Sequence, residues 1–258
     1  MVALEAQRLT KCYYSSLPAV RDLTFCLNEG EVLGFLGPNG SGKSTTVKML
    51  TGLLEPTHGH ILSRGSRIER DLVSYRERLG YVPEEADLYP FLSGWEYLEL
   101  VGTLRGLPRE SLQRKIDAML ELFSLAPHRH SAIGSYSKGM RQRILLIAAL
   151  LHDPSLLIFD EPLSGLDVTS AMVVKNLVKT LGEQGKAILY CSHVLEVVEK
   201  VCSTVIVLRK GRTLAYGPPA ELMKSAGQAS LEHAFAHLVE GGDAAQTAHS
   251  IAAVMSST

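Results

Sequence analysis

Apolar residues along the chain fall into short continuous runs that are separated by turn residues. Three of these runs, at residues 31–36, 156–160 and 187–191, predict strands. Each is followed by a stretch with helical spacing, and such alternation is typical of a parallel sheet with helices on its faces. Because the runs are almost wholly apolar, we expect the strands to be buried on both faces. The pattern predicts an α/β fold with a mainly parallel sheet.

Other parts of the chain depart from this alternation. The first 30 residues and residues 203–216 carry shorter runs with polar turns, which favours antiparallel strands. Residues 87–135 are rich in Leu and Glu, with helical spacing at 95–105 and 111–123. We therefore expect an N-terminal antiparallel β subdomain and a helical lobe inserted at about 87–135, with Trp95 and the leucines after it in the core of the lobe.

Sequence patterning also predicts how the chain is divided. We expect one domain over residues 1–225, followed by a short helix at 230–239 and a flexible tail from residue 241, which is small and polar. Internal repeats are absent, so one copy of the domain is expected. Residues 64–78 are dense in charges of both signs, which indicates a face in contact with solvent.

Composition excludes several classes of protein. The 258 residues carry a net charge of -1, so a basic field over the whole chain is absent and no nucleic-acid partner is expected. The four cysteines form no CxxC pair, which favours reduced thiols over a metal site. The longest apolar run, at 144–151, has eight residues, and about 20 are needed to span a bilayer. Because the chain also opens without a signal-like segment, we expect a cytoplasmic protein that would need another chain to cross a membrane.

The clearest chemical signal follows the first predicted strand and matches GxxxxGK[ST], a phosphate-binding loop. Its glycines allow backbone N–H groups to turn inward around a phosphate. Lys43 can bind the β- and γ-phosphate oxygens, and the Ser44 hydroxyl can ligate Mg²⁺. The residues expected to contact the nucleotide are Gly37, Pro38, Asn39, Gly40, Ser41, Gly42, Lys43, Ser44 and Thr45, with Thr46 next in the helix.

Two carboxylates stand at the end of the second predicted strand. Asp160 and Glu161 follow four apolar residues, and this places them at the ligand-binding edge of a parallel sheet. Asp160 is suited to hold Mg²⁺. Glu161 is suited to polarise a water molecule for in-line attack on a γ-phosphate.

Over about the first 225 residues the order of motifs resembles that of the ABC (ATP-binding cassette) ATPases. Residues 81–84 (YVPE) are similar to the Q-loop of that family, and residues 136–140 (YSKGM) to its signature sequence. Residues 164–167 (SGLD) resemble the D-loop. Ser192 and His193 resemble the switch histidine segment, and Tyr13 takes the place of the aromatic that stacks on adenine.

The resemblance implies a P-loop ATPase that works as a head-to-tail dimer with ATP and Mg²⁺. ATP on the phosphate-binding loop of one subunit would be covered by the partner's signature and D-loop residues, here Ser137, Lys138, Gly139, Met140 and Asp167. His193 would contact the γ-phosphate or the attacking water. Ser137 precedes a helical run, so its hydroxyl and the neighbouring N–H groups form an anion-seeking helix terminus. The second subunit can be the same or a different chain, and a separate transmembrane permease chain would hold the dimer at the inner face of the membrane.

Two departures from the family pattern stand out. The usual LSGGQ is YSKGM here, which retains Ser137 and Gly139, adds the charge of Lys138 and loses an amide at Met140. The usual Gln of the Q-loop is Glu84, which binds Mg²⁺ more strongly than an amide does and accepts hydrogen bonds without donating them. We hypothesise that Glu84 ligates Mg²⁺ and links hydrolysis to the membrane partner. Both departures resemble the bacterial ABC-2 exporters.

Two alternative functions fit the sequence less well. Soluble ABC ATPases that act on DNA or ribosomes generally carry a long coiled-coil insertion or a second cassette, and this sequence has neither. A nucleotide-binding regulator without hydrolysis is disfavoured by Lys43, Asp160, Glu161 and His193. The histidine pairs at 58 and 60 and at 128 and 130 lack acidic or cysteine neighbours in sequence, so we interpret them as surface residues.

Overall fold

The computed structural model describes residues 1–13, 17–85, 87–239 and 254–255. Ten strands and nine helices are assigned within these residues. The strands are β1 (Val2–Lys11), β2 (Val20–Asn28), β3 (Val32–Leu36), β4 (His58–Ser63), β5 (Ser66–Arg67), β6 (Leu79–Val82), β7 (Leu156–Asp160), β8 (Ala187–Cys191), β9 (Thr204–Arg209) and β10 (Arg212–Gly217). The helices are α1 (Lys43–Leu50), α2 (Leu72–Glu77), α3 (Gly94–Leu104), α4 (Arg109–Leu122), α5 (Lys138–Leu150), α6 (Val168–Glu183), α7 (Leu195–Val201), α8 (Pro219–Ala226) and α9 (Leu231–Val239).

A six-stranded sheet in the order β10-β9-β3-β8-β7-β6 forms the centre of the molecule. Its strands pair in parallel except for β10, which runs antiparallel to β9. The three predicted strands are β3, β7 and β8, and every residue in them is buried. Their carboxyl ends therefore meet at one edge, where Cys191 pairs with both Phe35 and Asp160. This edge carries the chemical motifs of the sequence.

The predicted antiparallel β subdomain is confirmed as a four-stranded sheet in the order β2-β1-β4-β5. Its apolar face packs on the central sheet, and the rings of Phe25 and Phe35 lie 5.8 Å apart across the interface. Residues 203–216 form the antiparallel hairpin that was expected, although β9 also joins the central sheet through parallel pairing with β3.

The sequence pattern failed to predict β6, the edge strand of the central sheet. Gly80 interrupts its apolar run and suggests a turn. In the fold a Cβ at Gly80 would lie 2.4 Å from the carbonyl oxygen of Ala149 on α5. The glycine thus reflects a close approach of the helix to the strand, which is a tertiary requirement.

The helical lobe contains α3 and α4, close to the predicted bounds. Ser93 caps α3 in a capping box with Glu96, whose carboxylate accepts from the Ser93 backbone N–H at 2.8 Å. Leu98 is fully buried in the lobe and Trp95 packs partly against its core, whereas Leu104 is 78% exposed. The expectation that the leucines after Trp95 fill the core is therefore wrong for Leu104, because it falls on the outer face of the helix.

Residues 64–78 are more than the solvated face that their charge suggested. They include α2, in which Tyr75 is buried and donates its hydroxyl to the carbonyl oxygen of Leu50 at 2.6 Å. Ile68, just before this helix, is buried as well. The charged residues occupy the solvent-facing side of α2. The pattern of charge alone did not reveal that the opposite side is buried.

The C-terminal helices pack onto the domain that contains the central sheet. The predicted helix at 230–239 is confirmed as α9. Leu222, Leu231 and Val239 join the apolar cluster on the face of the central sheet opposite the antiparallel sheet. The tail from residue 241 lies outside the described residues except for 254–255. Within the described part of the chain, no helix combines the length and the apolar character that crossing a membrane requires.

Candidate active site

A cavity of about 740 Å³ opens at the carboxyl edge of β3, β7 and β8. It gathers the phosphate-binding loop, both acids of the pair, Glu84 and His193 in one place, although these residues lie far apart in the sequence. The lining residues are Ala19, Leu36, Gly37, Pro38, Asn39, Gly40, Ser41, Gly42, Lys43, Ser44, Thr45, Glu84, Asp160, Glu161, Ser192, His193, Leu195 and Phe235.

The phosphate-binding loop connects β3 to α1 and depends on glycine. Gly42 has φ +105°, and a Cβ there would lie 2.6 Å from the carbonyl oxygen of Ala19. Lys43 is the first residue of α1, and its ammonium donates to the carbonyl oxygens of Gly37 at 2.5 Å and Pro38 at 3.3 Å. The loop therefore wraps around the ammonium at a helix N-terminus, where anionic ligands are favoured.

Asp160 ends β7 in an environment that disfavours its charge. Burial raises the pKa of its carboxyl to about 6, with further contributions from the charges of Glu84 and Glu161 and an opposing one from Lys43. A divalent cation beside these carboxylates would reverse the repulsion, and carboxylate and hydroxyl oxygens are the ligands that Mg²⁺ prefers. Asp160, Glu84 and Ser44 all line this cavity and therefore fit the cation that the sequence motifs imply.

Glu161 is held firmly by its neighbours. Its Oε2 accepts from the Ser192 hydroxyl at 3.2 Å, and its Oε1 lies 2.9 Å from His193 Nδ1, a distance at which an Nδ1–H donates to the carboxylate. The backbone of Glu161 has φ +51°, and its N–H donates to the carbonyl oxygen of Cys191 at 2.9 Å. A non-glycine residue in the left-handed region is strained, and such strain concentrates at functional sites.

Tyr13 lies at the border of the phosphate-binding loop. Its hydroxyl is 3.4 Å from Thr45 Oγ1, and the Lys11 ammonium is 5.8 Å from the centre of its ring. The side chain is 49% exposed. Its ring is therefore accessible beside the loop, as stacking on a base would require.

Thr46 was expected to contact the nucleotide, and its side chain is directed elsewhere. It is fully buried, and its hydroxyl donates to the carbonyl oxygen of Gly42 at 2.8 Å, one helical turn back. Thr46 is absent from the lining of the cavity. Its role is to hold the first turn of α1, because a buried hydroxyl needs a partner within the fold.

The segment that resembles the family signature lies apart from the cavity. Ser137 caps α5, and its hydroxyl accepts from the backbone N–H of Met140 at 3.2 Å. Asp167 caps α6 in the same way, and hydrogen bonds from Ser170 lower the pKa of its carboxyl. Neither Lys138 nor any other of these residues lines the cavity. Within one chain, the two predicted halves of the nucleotide site are therefore separate.

Gly139 is buried against the D-loop. A Cβ at this position would lie 2.5 Å from the carbonyl oxygen of Gly165. In the fold Gly139 leaves room for the neighbouring backbone turn at Gly165. The signature segment and the D-loop thus pack as one unit.

Replacing Gly139 by Ala is expected to force the signature segment and the D-loop apart. Both the melting temperature and ATP turnover should fall. Overpacking of this kind typically costs about 1–3 kcal/mol. Thermal unfolding and phosphate release measure the two effects. Gly217→Ala is the matched control, because the nearest atom to a Cβ there is at 3.7 Å. Equal behaviour of the two variants would contradict the packing argument.

Sequence reasoning missed four lining residues. Ala19, Leu36 and Leu195 carry no chemical signal. They line the cavity because β2 begins just after Ala19, β3 ends at Leu36 and α7 begins at Leu195. Phe235 arrives from α9, about forty residues beyond the last recognised motif. The amphipathic spacing of α9 is the only hint of it in the sequence.

Comparisons with known proteins agree with this geometry. The family model described as "ABC transporter" matches residues 20–164. The chain is 35% identical over 225 residues to the ABC transporter ATP-binding protein NatA of Bacillus subtilis, which covers 86% of this chain and 92% of NatA. It is 36% identical over 224 residues to the linearmycin resistance ATP-binding protein LnrL of the same species, covering 87% of this chain and 72% of LnrL.

A solved structure described as the ATP-binding subunit of an ABC transporter superposes with a TM-score of 0.85 at 32% identity, covering 92% of this chain and 99% of that one. This superposition and the NatA alignment each cover more than four fifths of the chain. With an assembled phosphate-binding loop, acid pair and histidine in one cavity, the chain belongs to the ABC transporter family as an ATP-binding subunit that hydrolyses ATP.

Proposed function

We propose that this subunit powers a membrane exporter by closing head-to-tail on a second ATPase subunit. The observation that carries the proposal is the separation of the two half-sites. The exposed N-terminus of α5 at Ser137 is ready to bind an anion, yet it lies away from the cavity of its own chain. A second subunit placed head to tail brings this terminus to the ATP on the phosphate-binding loop.

Within the closed dimer each residue of the cavity has a defined task. Lys43 binds the β- and γ-phosphates, while Ser44, Asp160 and Glu84 would hold Mg²⁺, which would supply positive charge against the phosphate oxygens. Glu161 accepts a proton from the attacking water, and His193 orients the γ-phosphate or that water. The Ser192 hydroxyl keeps the Glu161 carboxylate in place.

Glu84 connects the cavity to a second concave surface. A groove of about 690 Å³ runs between the helical lobe and the central sheet, and Ser44, Glu84 and Asp160 line both it and the cavity. Tyr97 of α3 and Arg105, the residue after that helix, form its opposite wall. This continuity supports the proposal that a segment of a separate permease chain docks in the groove and that Glu84 couples it to hydrolysis. The subunit would then lie on the cytoplasmic face of the membrane.

Replacing Glu84 by Gln is expected to weaken the dependence of hydrolysis on Mg²⁺, raising the Mg²⁺ concentration at half-maximal rate severalfold. The amide binds the cation less strongly than the carboxylate, and it also removes one charge that raises the pKa of Asp160. Magnesium titrations of phosphate release measure the shift. Glu85→Gln is the control, since Glu85 lines the groove but not the cavity. An unchanged titration together with unchanged coupled transport would contradict the role of Glu84.

Affinity purification from membranes tests the transporter role. The tagged chain, extracted from its own host in mild detergent, should retain a polytopic membrane protein as its partner. Vesicle assays with the purified complex would then give the direction of transport. The name of LnrL, a resistance protein, favours export as that direction. Recovery with ribosomes or DNA alone would instead favour the soluble class of ABC ATPase.

A further inference from the structure

Helix α9 is attached to the switch segment through α7. The switch histidine, His193, comes two residues before α7 begins at Leu195. Near the other end of α7, the Glu199 carboxylate accepts from the backbone N–H of Leu231, the first residue of α9, at 2.9 Å. Glu199 thus satisfies one of the N–H groups that a helix N-terminus leaves unpaired. The two helices therefore act as one unit next to the active site.

The packing between these helices aims one side chain at the cavity. Leu231 and Phe235 are four residues apart and lie on the same face of α9. Ala234, adjacent to this face, is fully buried, which allows a close approach to the core. Leu231 joins the apolar cluster that contains Val198 of α7, and Phe235 packs against that cluster while part of its surface lines the nucleotide cavity.

Phe235 and Leu195 line the cavity beside the switch segment. Both pack against the same apolar cluster, and Leu195 is separated from His193 by a single residue. His193 itself is 79% exposed and meets Glu161 through one ring nitrogen. An exposed side chain held at one point keeps several rotamers. Its pairing with Glu161 therefore depends on where the backbone of the switch segment lies, and Leu195 and Phe235 anchor that end of α7 to the apolar cluster.

We propose that Phe235 is a positioning residue for ATP hydrolysis: with Leu195 it holds the switch segment so that His193 stays paired with Glu161. The inference rests on the proposed roles of Glu161 and His193, and it makes α9 a functional part of the nucleotide site. Phe235 would touch no reacting group in this role. Its effect should therefore appear in turnover and pass through His193.

The test compares variants of the full-length chain by steady-state phosphate release. Phe235→Ala is expected to lower kcat about tenfold and to leave KM for ATP within about twofold. Phe235→Leu, which restores apolar packing at this position, should recover most of the rate. His237→Ala, an exposed position on α9, should match the parent. Parental kcat in Phe235→Ala, or a raised KM with parental kcat, would overturn the inference. Should Phe235→Ala prove unfolded by thermal melting, Phe235→Leu decides: most of the parental kcat with an unchanged KM is expected, and a raised KM with parental kcat would overturn the inference.

A double-mutant cycle separates positioning from simple destabilisation. In single-turnover measurements, Phe235→Ala should slow the parent but add no further loss in a His193→Ala background. Equal losses in both backgrounds would overturn the inference and leave the proposed function intact. If His193→Ala alone hydrolyses ATP at the parental rate, the role assigned to His193 fails, and the inference fails with it.

Discussion

Glu161→Gln is expected to abolish most ATP hydrolysis while leaving ATP binding intact. The amide is nearly isosteric and can keep its contact with the Ser192 hydroxyl, but it cannot accept the proton of the attacking water. General bases contribute about 10²–10⁴-fold to rate, so turnover should fall by at least about a hundredfold. Phosphate release measures this loss directly.

The same variant should accumulate as a closed dimer in ATP and Mg²⁺. Closure needs bound ATP, and reopening follows its hydrolysis in the proposed cycle. Size-exclusion chromatography with light scattering should show a dimer with ATP and a monomer with ADP. Glu183→Gln, an exposed position near the end of α6, controls for loss of one charge. A variant that stays monomeric with ATP, or turns over near the parental rate, would exclude Glu161 as the base.

Lys43→Ala should weaken nucleotide binding by at least about tenfold. The ammonium, which now donates to the carbonyl oxygens of Gly37 and Pro38, lies where it can turn to phosphate oxygens. Each charge-assisted hydrogen bond is worth about 1.5–3 kcal/mol, and about 1.4 kcal/mol corresponds to a factor of ten in affinity. Calorimetric titration with ATP gives the change in Kd.

Lys48→Ala provides the control for charge, because Lys48 is exposed on the same helix and does not line the cavity. Its Kd should equal that of the parent. Unchanged ATP affinity in Lys43→Ala would remove the phosphate-binding role from the loop lysine. Lys43→Ala thus reports on ATP binding, whereas Glu161→Gln reports on hydrolysis.

Local patterns account for much of the fold. The strands β3, β7 and β8 are buried on both faces, and their continuous apolar runs predicted them almost to the residue. The strand β6 was missed because Gly80 interrupts its run, and the reason for that glycine lies on α5. The burial of Tyr75 was missed for a related cause, since the charges around it mark only one face of its helix.

Motif spacing predicted which residues share the cavity, but it did not predict the conformations of their side chains. The phosphate-binding loop, Asp160, Glu161 and His193 do share one cavity, because parallel strands deliver their carboxyl ends to the same edge. Thr46 was assigned to the nucleotide although a hydrogen bond inside α1 turns it away. That contact depends on the side-chain conformation, which the motif does not specify.

The sequence by itself determined the α/β class, the phosphate-binding loop and the position of the acid pair at the end of a buried strand, because these depend on periodicity and on residue types at short spacing. The tertiary structure alone decided that Gly139 packs on Gly165, that Glu84 lines both the cavity and the groove, and that Phe235 reaches the nucleotide cavity. These are contacts between residues distant along the chain, and they arise only when sheet and helices are packed together.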